Sequence, residues 1–296
     1  MDKQYKKNFF HAGELAKEVR SFGKNLIIKG ASYNHVIQKI KGKIVELGAI
    51  PAFPPQIALN DVAAHFLVEP LKDHIFSDEV VKLDVGVCYE GAIGDCAVTI
   101  DLSGKYQLLV DAAEAALLAA EKIVQVGLPV GQIGKIIEET IQSFGFNPVR
   151  NLSGHGLGYY QIHTPPGIPN YFSQSKAVIK PGMTFAIEPF ATNGKGLIYD
   201  AGNPTIYSLT SSPKGCSPLA SVLVAKIKTF KGLPFAIHDL LGNDDLNDVK
   251  MALTELVNKK IVSGYAPLVE EAHGMVAQAE NSVLVDEEGK VFITTR

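Results

Sequence analysis

The sequence predicts an α+β fold of two similar halves around a shared antiparallel sheet. Two observations carry this expectation. The order helix, helix, strands occurs twice before residue 203, and the strand-like runs are broken by turn-forming stretches. A third observation adds an interruption: after about residue 203 the pattern changes and resumes as strands only near the end. The repeat is one of architecture, with no evident residue identity between the halves.

Residues 5 to 22 and 33 to 47 carry apolar side chains at helical spacing. The second run shows Val36, Ile37, Ile40, Ile44 and Val45, with Ser32 placed to cap it. "VVKLDVGVCYEGAIGDCAVTIDL", residues 80 to 102, follows as a pair of strands turning near Tyr89 and Glu90. The order then recurs. A helix around "QLLVDAAEAALLAAEKIVQV" precedes a second with Ile133, Ile136, Ile137, Ile141 and Phe144 on one face. "NLSGHGLGYYQIH" and "GMTFAIEPF" read as strands. Beyond them, "NPTIYSLTSSPKGCSP" is rich in turn formers, and "NDDLNDVKMALTELVNKKIVSGY" reads as a capped helix. "AQAENSVLVDEEGKVFITT" reads as a closing hairpin with "DEEG" at its tip.

Composition bounds the function. The chain has 296 residues, 46% hydrophobic and 20% charged, with a net charge of -3. That balance argues against a nucleic-acid protein held by bulk charge, so no direct nucleic-acid readout is expected. No segment approaches the length of a membrane span, and the first residues lack the apolar core of a signal peptide. The expectation is a cytoplasmic protein without membrane attachment. Cys88, Cys96 and Cys216 are odd in number and lack CxxC spacing, which suggests neither a disulfide framework nor a zinc knuckle; Cys88 and Cys96, in strand-like runs, read as small core residues.

Asp84 and Asp95 interrupt apolar strands. A bare buried carboxylate is costly unless it is paired, protonated or bound to metal. In a hairpin turning near Tyr89 and Glu90 the two can lie directly across from each other, and a divalent cation would satisfy both. The bland alternative is one turn acid and one acid facing water. His155 in "SGHGLG", Glu188 after "MTFAI" and Glu280 in "AQAENSVLV" are similar singularities. Four carboxylates and one imidazole suit a pair of divalent ions, and an oxygen-rich set with one His favours Mn, Fe, Co or Zn. Such a pair would hold water as hydroxide and polarise a carbonyl, which is metal-assisted hydrolysis.

At these residues the sequence resembles the methionine aminopeptidases, members of the pita-bread (creatinase/aminopeptidase) metallopeptidases. The resemblance runs over nearly the whole chain. It rests on "NDVAAH" ending at His65, "LDVGVCYEGAIGDCAVT" with Asp84 and Asp95, "NLSGHGLGYYQIH" with His155 and His163, "PGMTFAIEPF" with Glu188, and "AQAEN" with Glu280. The two Asp stand eleven positions apart and the two His eight, as the family motif requires. The resemblance implies a curved antiparallel sheet with the helices outside. It further implies a catalytic domain of residues 1–203 plus 268–296 and an inserted helical, winged-helix-like subdomain at 204–267, the mark of the second type. Without the long charged extension of eukaryotic members, the chain resembles the compact archaeal form.

The implied activity is removal of the N-terminal methionine from nascent proteins and peptides with a small second residue, by hydroxide attack from a dinuclear site. The implied metal ligands are Asp84, Asp95, His155, Glu188 and Glu280, with Asp95 and Glu280 bridging two divalent ions (Co, Mn, Fe or Zn). Glu188 would also shuttle the proton, His163 would hydrogen-bond the scissile carbonyl oxygen, and His65 would contact the amide on the leaving side. Phe53, Ile162 and Tyr265 would line the methionine pocket. Ile206 stands where larger eukaryotic members place a histidine, which implies a more apolar rim. A monomer in transient contact with the ribosome is implied by analogy. The proline-specific peptidases of the same fold normally add a large N-terminal domain, and the proliferation-associated homologues lack a complete metal set. Here only about eighty residues precede Asp84 and all five ligand positions hold metal-competent side chains.

Overall fold

A computed structural model describes residues 1–296. The first helix, Lys3–Leu26, starts where the Asp2 carboxylate accepts the Tyr5 N–H. The second, Tyr33–Glu46, starts where Ser32 Oγ accepts the His35 N–H, the cap expected from the sequence. Val19, Ile40 and Ile44 bury against Leu83, Val85 and Val87 of the strand Val80–Tyr89. Val45 departs from the expected face and is 66% exposed, one position past the buried stripe.

The second half repeats this plan. Helices Gln107–Ile123 and Val130–Ser143 bury Leu109, Ala116, Ile133, Ile137 and Ile141 against Phe185, Ile187, Val283 and Val285. These last four belong to a five-stranded antiparallel sheet ordered Val291–Ile293, Asn281–Val285, Thr184–Ile187, Ser153–Gly158, Gln161–Pro169. The first half's sheet comprises Ile50–Pro51, Val80–Tyr89, Gln56–Leu59 and Ala92–Asp101. The two sheets touch through an antiparallel bridge between Ala97 and Glu280, with Ala97 N–H to Glu280 O at 3.4 Å and Glu280 N–H to Ala97 O at 3.2 Å. The acids collect around that junction. Cys88 and Cys96 are buried and free, as small core residues.

The acid-bearing hairpin corrects one expectation. Asp84 pairs with Ala97, and Asp95 with Gly86, so the two acids are not directly opposed. The turn explains the shift. Tyr89 pairs with Ala92, and the two residues between them, Glu90 and Gly91, both have left-handed backbone at φ 47° and 83°. That is the two-residue turn whose twist matches the flanking strands. Its ladder runs unbroken from Ala92 to Asp101, with no bulge near Gly94. Both acids nevertheless share a face as diagonal neighbours, a separation long side chains can span.

Between the two stretches of the second half, Ile206–Leu209 forms the centre of a three-stranded sheet with Phe235–Ala236 and Val262–Tyr265. Helices Pro218–Lys228 and Leu246–Asn258 pack on it with Leu223, Ile227, Leu253 and Leu256 in their own core. Asp245 caps the second of these through the Asn247 and Asp248 N–H groups. No helix is long and apolar enough to cross a membrane.

Candidate metal centre

Strand pairing assembles the acids. Gln56 lies opposite Asp84, Asp84 opposite Ala97, and Ala97 opposite Glu280. Directly paired residues face the same way, so these four form one row across the junction of the two sheets. The small Ala97 side chain leaves space between Asp84 and Glu280. Asp95 stands two residues along from Ala97, on the same face. The Ser282 hydroxyl accepts the Asp95 N–H and donates to its carbonyl, both at 2.8 Å. Glu188 follows Ile187, whose partner is Asn281, and the next step of that register sets Glu188 beside Glu280. Pro189 then ends the strand, since it has no N–H for the ladder.

His155 reaches the acids from a strand packed too closely for side chains at the glycines on either side of it. A Cβ at Gly154 would lie 2.3 Å from the Ala186 carbonyl oxygen, and one at Gly156 2.4 Å from Thr164 Oγ1. The ladder register also shifts on both sides of Gly156. His155 Nε2 sits 3.7 Å from Asp95 Oδ2 and 3.6 Å from Glu188 Oε1. Ligand atoms of Asp95, His155 and Glu280 all fall within 4.8 Å of one another.

Charge is unbalanced in this cluster. Burial raises the Asp84 carboxyl to about 7. Burial first, then repulsion from Asp84, pushes Asp95 well above the ordinary carboxylate range. Glu188 and Glu280 are raised in the same way, by burial and then by their acidic neighbours. Burial and the neighbouring His163 lower His155 to about 3, so its ring is a neutral donor of a lone pair at neutral pH. Asp84 Oδ1, Asp95 Oδ1 and Glu280 Oε2 are buried with no hydrogen-bond partner. Orphaned buried carboxylate oxygens are rare in native proteins and call for a counter-charge. Oxygen donors with one imidazole, clustered and unpartnered, fit a divalent cation.

A cavity of about 700 Å³ opens above this cluster. All ten residues singled out from the sequence line it: the four acids and His155 named above as ligands, with Phe53, His65, Ile162, His163 and Tyr265. Gly86 shapes one wall, because the Phe53 ring lies across its Cα where a side chain would otherwise stand. The His163 ring meets His155 edge-on at 4.3 Å, and burial lowers its pKa. The His65 ring stands 5.7 Å from that of Tyr265, and burial and His163 lower it to about 4. Ile206 pairs with Tyr265 and is only 3% exposed, so it presents an apolar side to the cavity. Two further polar residues of the site are not singled out from the sequence, although Gln278 lies inside the "AQAEN" motif. Gln56 joins the row opposite Asp84, and Gln278 donates to Glu188 Oε2 at 3.5 Å. Strand register reveals the first and a hydrogen bond the second.

The chain is similar to known proteins along its whole length. Residues 7–287 match the model of metallopeptidase family M24. A methionine aminopeptidase of Methanocaldococcus jannaschii is 39% identical over 288 residues, 96% of each chain. One of Archaeoglobus fulgidus is 37% identical over 298 residues, covering all of both. The crystal structure of a methionine aminopeptidase from Thermotoga maritima superposes with a TM-score of 0.73 at 22% identity, covering 100% of this chain and 98% of that one. The pita-bread fold expected from the motifs is therefore the fold of this chain. With its two half-sheets, its central acids and this full-length similarity, the chain belongs to metallopeptidase family M24.

Proposed function

We propose that this chain is a methionine aminopeptidase, a hydrolase that removes the N-terminal methionine from peptides and nascent proteins whose second residue is small. One observation carries the reading: five metal-competent side chains, three with orphaned buried oxygens, converge beneath a cavity with an apolar wall. Asp84, Asp95, His155, Glu188 and Glu280 would hold two divalent ions, four carboxylate charges matching the four of the metals. Co, Mn, Fe or Zn each suit the donors. Such ions, when bound, lower the pKa of water and polarise a carbonyl oxygen.

The protein's own groups would do the rest. Glu188, beside Glu280 and held by Gln278, would take the proton of the attacking water at a carboxylate oxygen and pass it to the leaving amine. His163, neutral but still carrying one ring N–H, would donate to the carbonyl oxygen as negative charge builds there. His65, also neutral, would contact the amide on the leaving side. Phe53 and Ile162, both buried, with Tyr265 would enclose the methionine side chain, and Tyr265 is fixed through a 3.0 Å hydrogen bond with Ser208. Tight walls exclude bulk at the second residue.

Under the same reading residues 204–267 act as an inserted subdomain, supported by their separate sheet and core. The chain would work as a cytoplasmic monomer meeting nascent polypeptides at the ribosome. Hydrolysis of Met-Ala-Ser with added Mn or Co tests the proposal. Failure with every divalent metal, together with no metal bound at the five residues, would overturn it.

A further inference from the structure

His65 is held in an unusual way. Its backbone is left-handed at φ 59°, a conformation that residues with a Cβ rarely adopt outside turns and functional sites. The strand Val62–Ala64 ends immediately before it, so neither polar group of its backbone is held by the sheet ladder. Two side chains take their place. Gln56 Oε1 accepts the His65 N–H at 2.6 Å, and Thr205 Oγ1 donates to the His65 carbonyl at 2.6 Å. The two come from opposite sides. Gln56 is buried in the strand next to the acid hairpin, directly opposite Asp84. Thr205 stands immediately before the strand Ile206–Leu209 of the inserted segment, and its own N–H is fixed to the Tyr265 carbonyl at 3.1 Å.

We infer that Gln56 and Thr205 are positioning residues that lock the left-handed turn and so aim the His65 imidazole into the cavity. The inference rests on the proposed contact of His65 with substrate and adds a role to the inserted segment. Thr205 ties that segment to the backbone of an active-site histidine. Gln56 ties the same histidine to the strand facing Asp84. A turn freed from either clamp can relax towards the ordinary extended or helical backbone, which swings the ring away from the cavity. A ring displaced by an ångström is enough to lower a rate by up to about 100-fold.

The experiment compares Thr205→Val, Thr205→Ser and Gln56→Leu, each alone and combined with His65→Ala, in the full-length enzyme loaded with Mn. Steady-state kinetics on Met-Ala-Ser are read beside bound metal and thermal midpoint. Thr205→Val is expected to lower kcat by roughly tenfold or more at full metal content, and Thr205→Ser, which keeps the hydroxyl, to restore most of it. In the His65→Ala background Thr205→Val should have no further effect, because groups acting through one side chain are not additive. Gln56→Leu should behave alike; should that variant not fold, the Thr205 pair decides alone. Wild-type kcat in Thr205→Val, or a loss that multiplies onto that of His65→Ala, would overturn the positioning role. A wild-type rate in His65→Ala itself would instead show that the role of His65 is wrong, and the inference would fall with it.

Discussion

Replacing Gly86 with Ala tests how closely the pocket wall is tied to the acid hairpin. The added Cβ would lie 2.3 Å from Phe53 Cε1, 2.7 Å from Cδ1 and 2.9 Å from Cζ. Carbon atoms rest about 3.5–4.0 Å apart, so the ring has to retreat by more than about 1 Å. It cannot retreat into the core, where Phe53 is packed with Ala52, Cys88, Ile93 and Ile162. The open direction is the cavity, where the methionine side chain would bind. Overpacking of this kind destabilises by about 1–3 kcal/mol, and a 1 Å misplacement at a substrate wall lowers the rate by up to about 100-fold. Gly86→Ala should therefore lower kcat/KM for Met-Ala-Ser by about 10- to 100-fold, with a lower thermal midpoint and bound metal retained. Adding Phe53→Leu should recover part of the stability, since the three atoms nearest the added Cβ all belong to that ring. Wild-type stability and kinetics in Gly86→Ala, or a Phe53→Leu loss that adds in full to that of Gly86→Ala, would refute the steric reasoning.

Glu188→Gln removes the charge of a proposed ligand and proton carrier while preserving size; turnover should fall by orders of magnitude with the circular dichroism of the fold retained. His163→Ala should lower kcat while metal content, measured by elemental analysis, stays at the wild-type level. Metal binding should strengthen as pH rises. Burial raises the four acids above their ordinary range in the metal-free protein, so at low pH a cation has to displace protons that are absent at high pH. Calorimetric titration across pH 6 to 8, roughly the range of the raised Asp84 value, should show rising affinity and proton release; a flat profile would contradict it. Arg20 donates to the Glu280 carbonyl at 3.1 Å, Asn281 Oδ1 at 2.9 Å and the Thr295 carbonyl at 2.8 Å. Arg20→Met should lower the melting temperature and weaken metal affinity by about 10- to 100-fold, whereas unchanged affinity would confine Arg20 to a purely structural role.

Much of the site is legible in the amino-acid sequence. Asp84, Asp95 and Glu188 stand out because each breaks or ends an apolar strand, where a carboxylate is costly without a partner. His155 stands out among glycines. Their identities and spacings carry the family resemblance, and with it His65, His163 and the pocket residues. Less legible is the pairing of Asp84 with Asp95, expected directly across and found on the diagonal. The two-residue Glu90–Gly91 turn sets that register, and turn geometry depends on backbone angles that the residue string only suggests.

Apolar spacing along the chain was enough to specify the two helix-helix-strand halves, and residue type was enough to specify the chemistry of the proposed ligands. Which atoms meet is settled by the packed fold. Gln56 meets His65 across a turn; Thr205 reaches it from 140 residues away; the Phe53 ring lies over Gly86. These contacts depend on strand register and on close backbone approach, which are properties of the assembled sheets rather than of any local stretch of sequence.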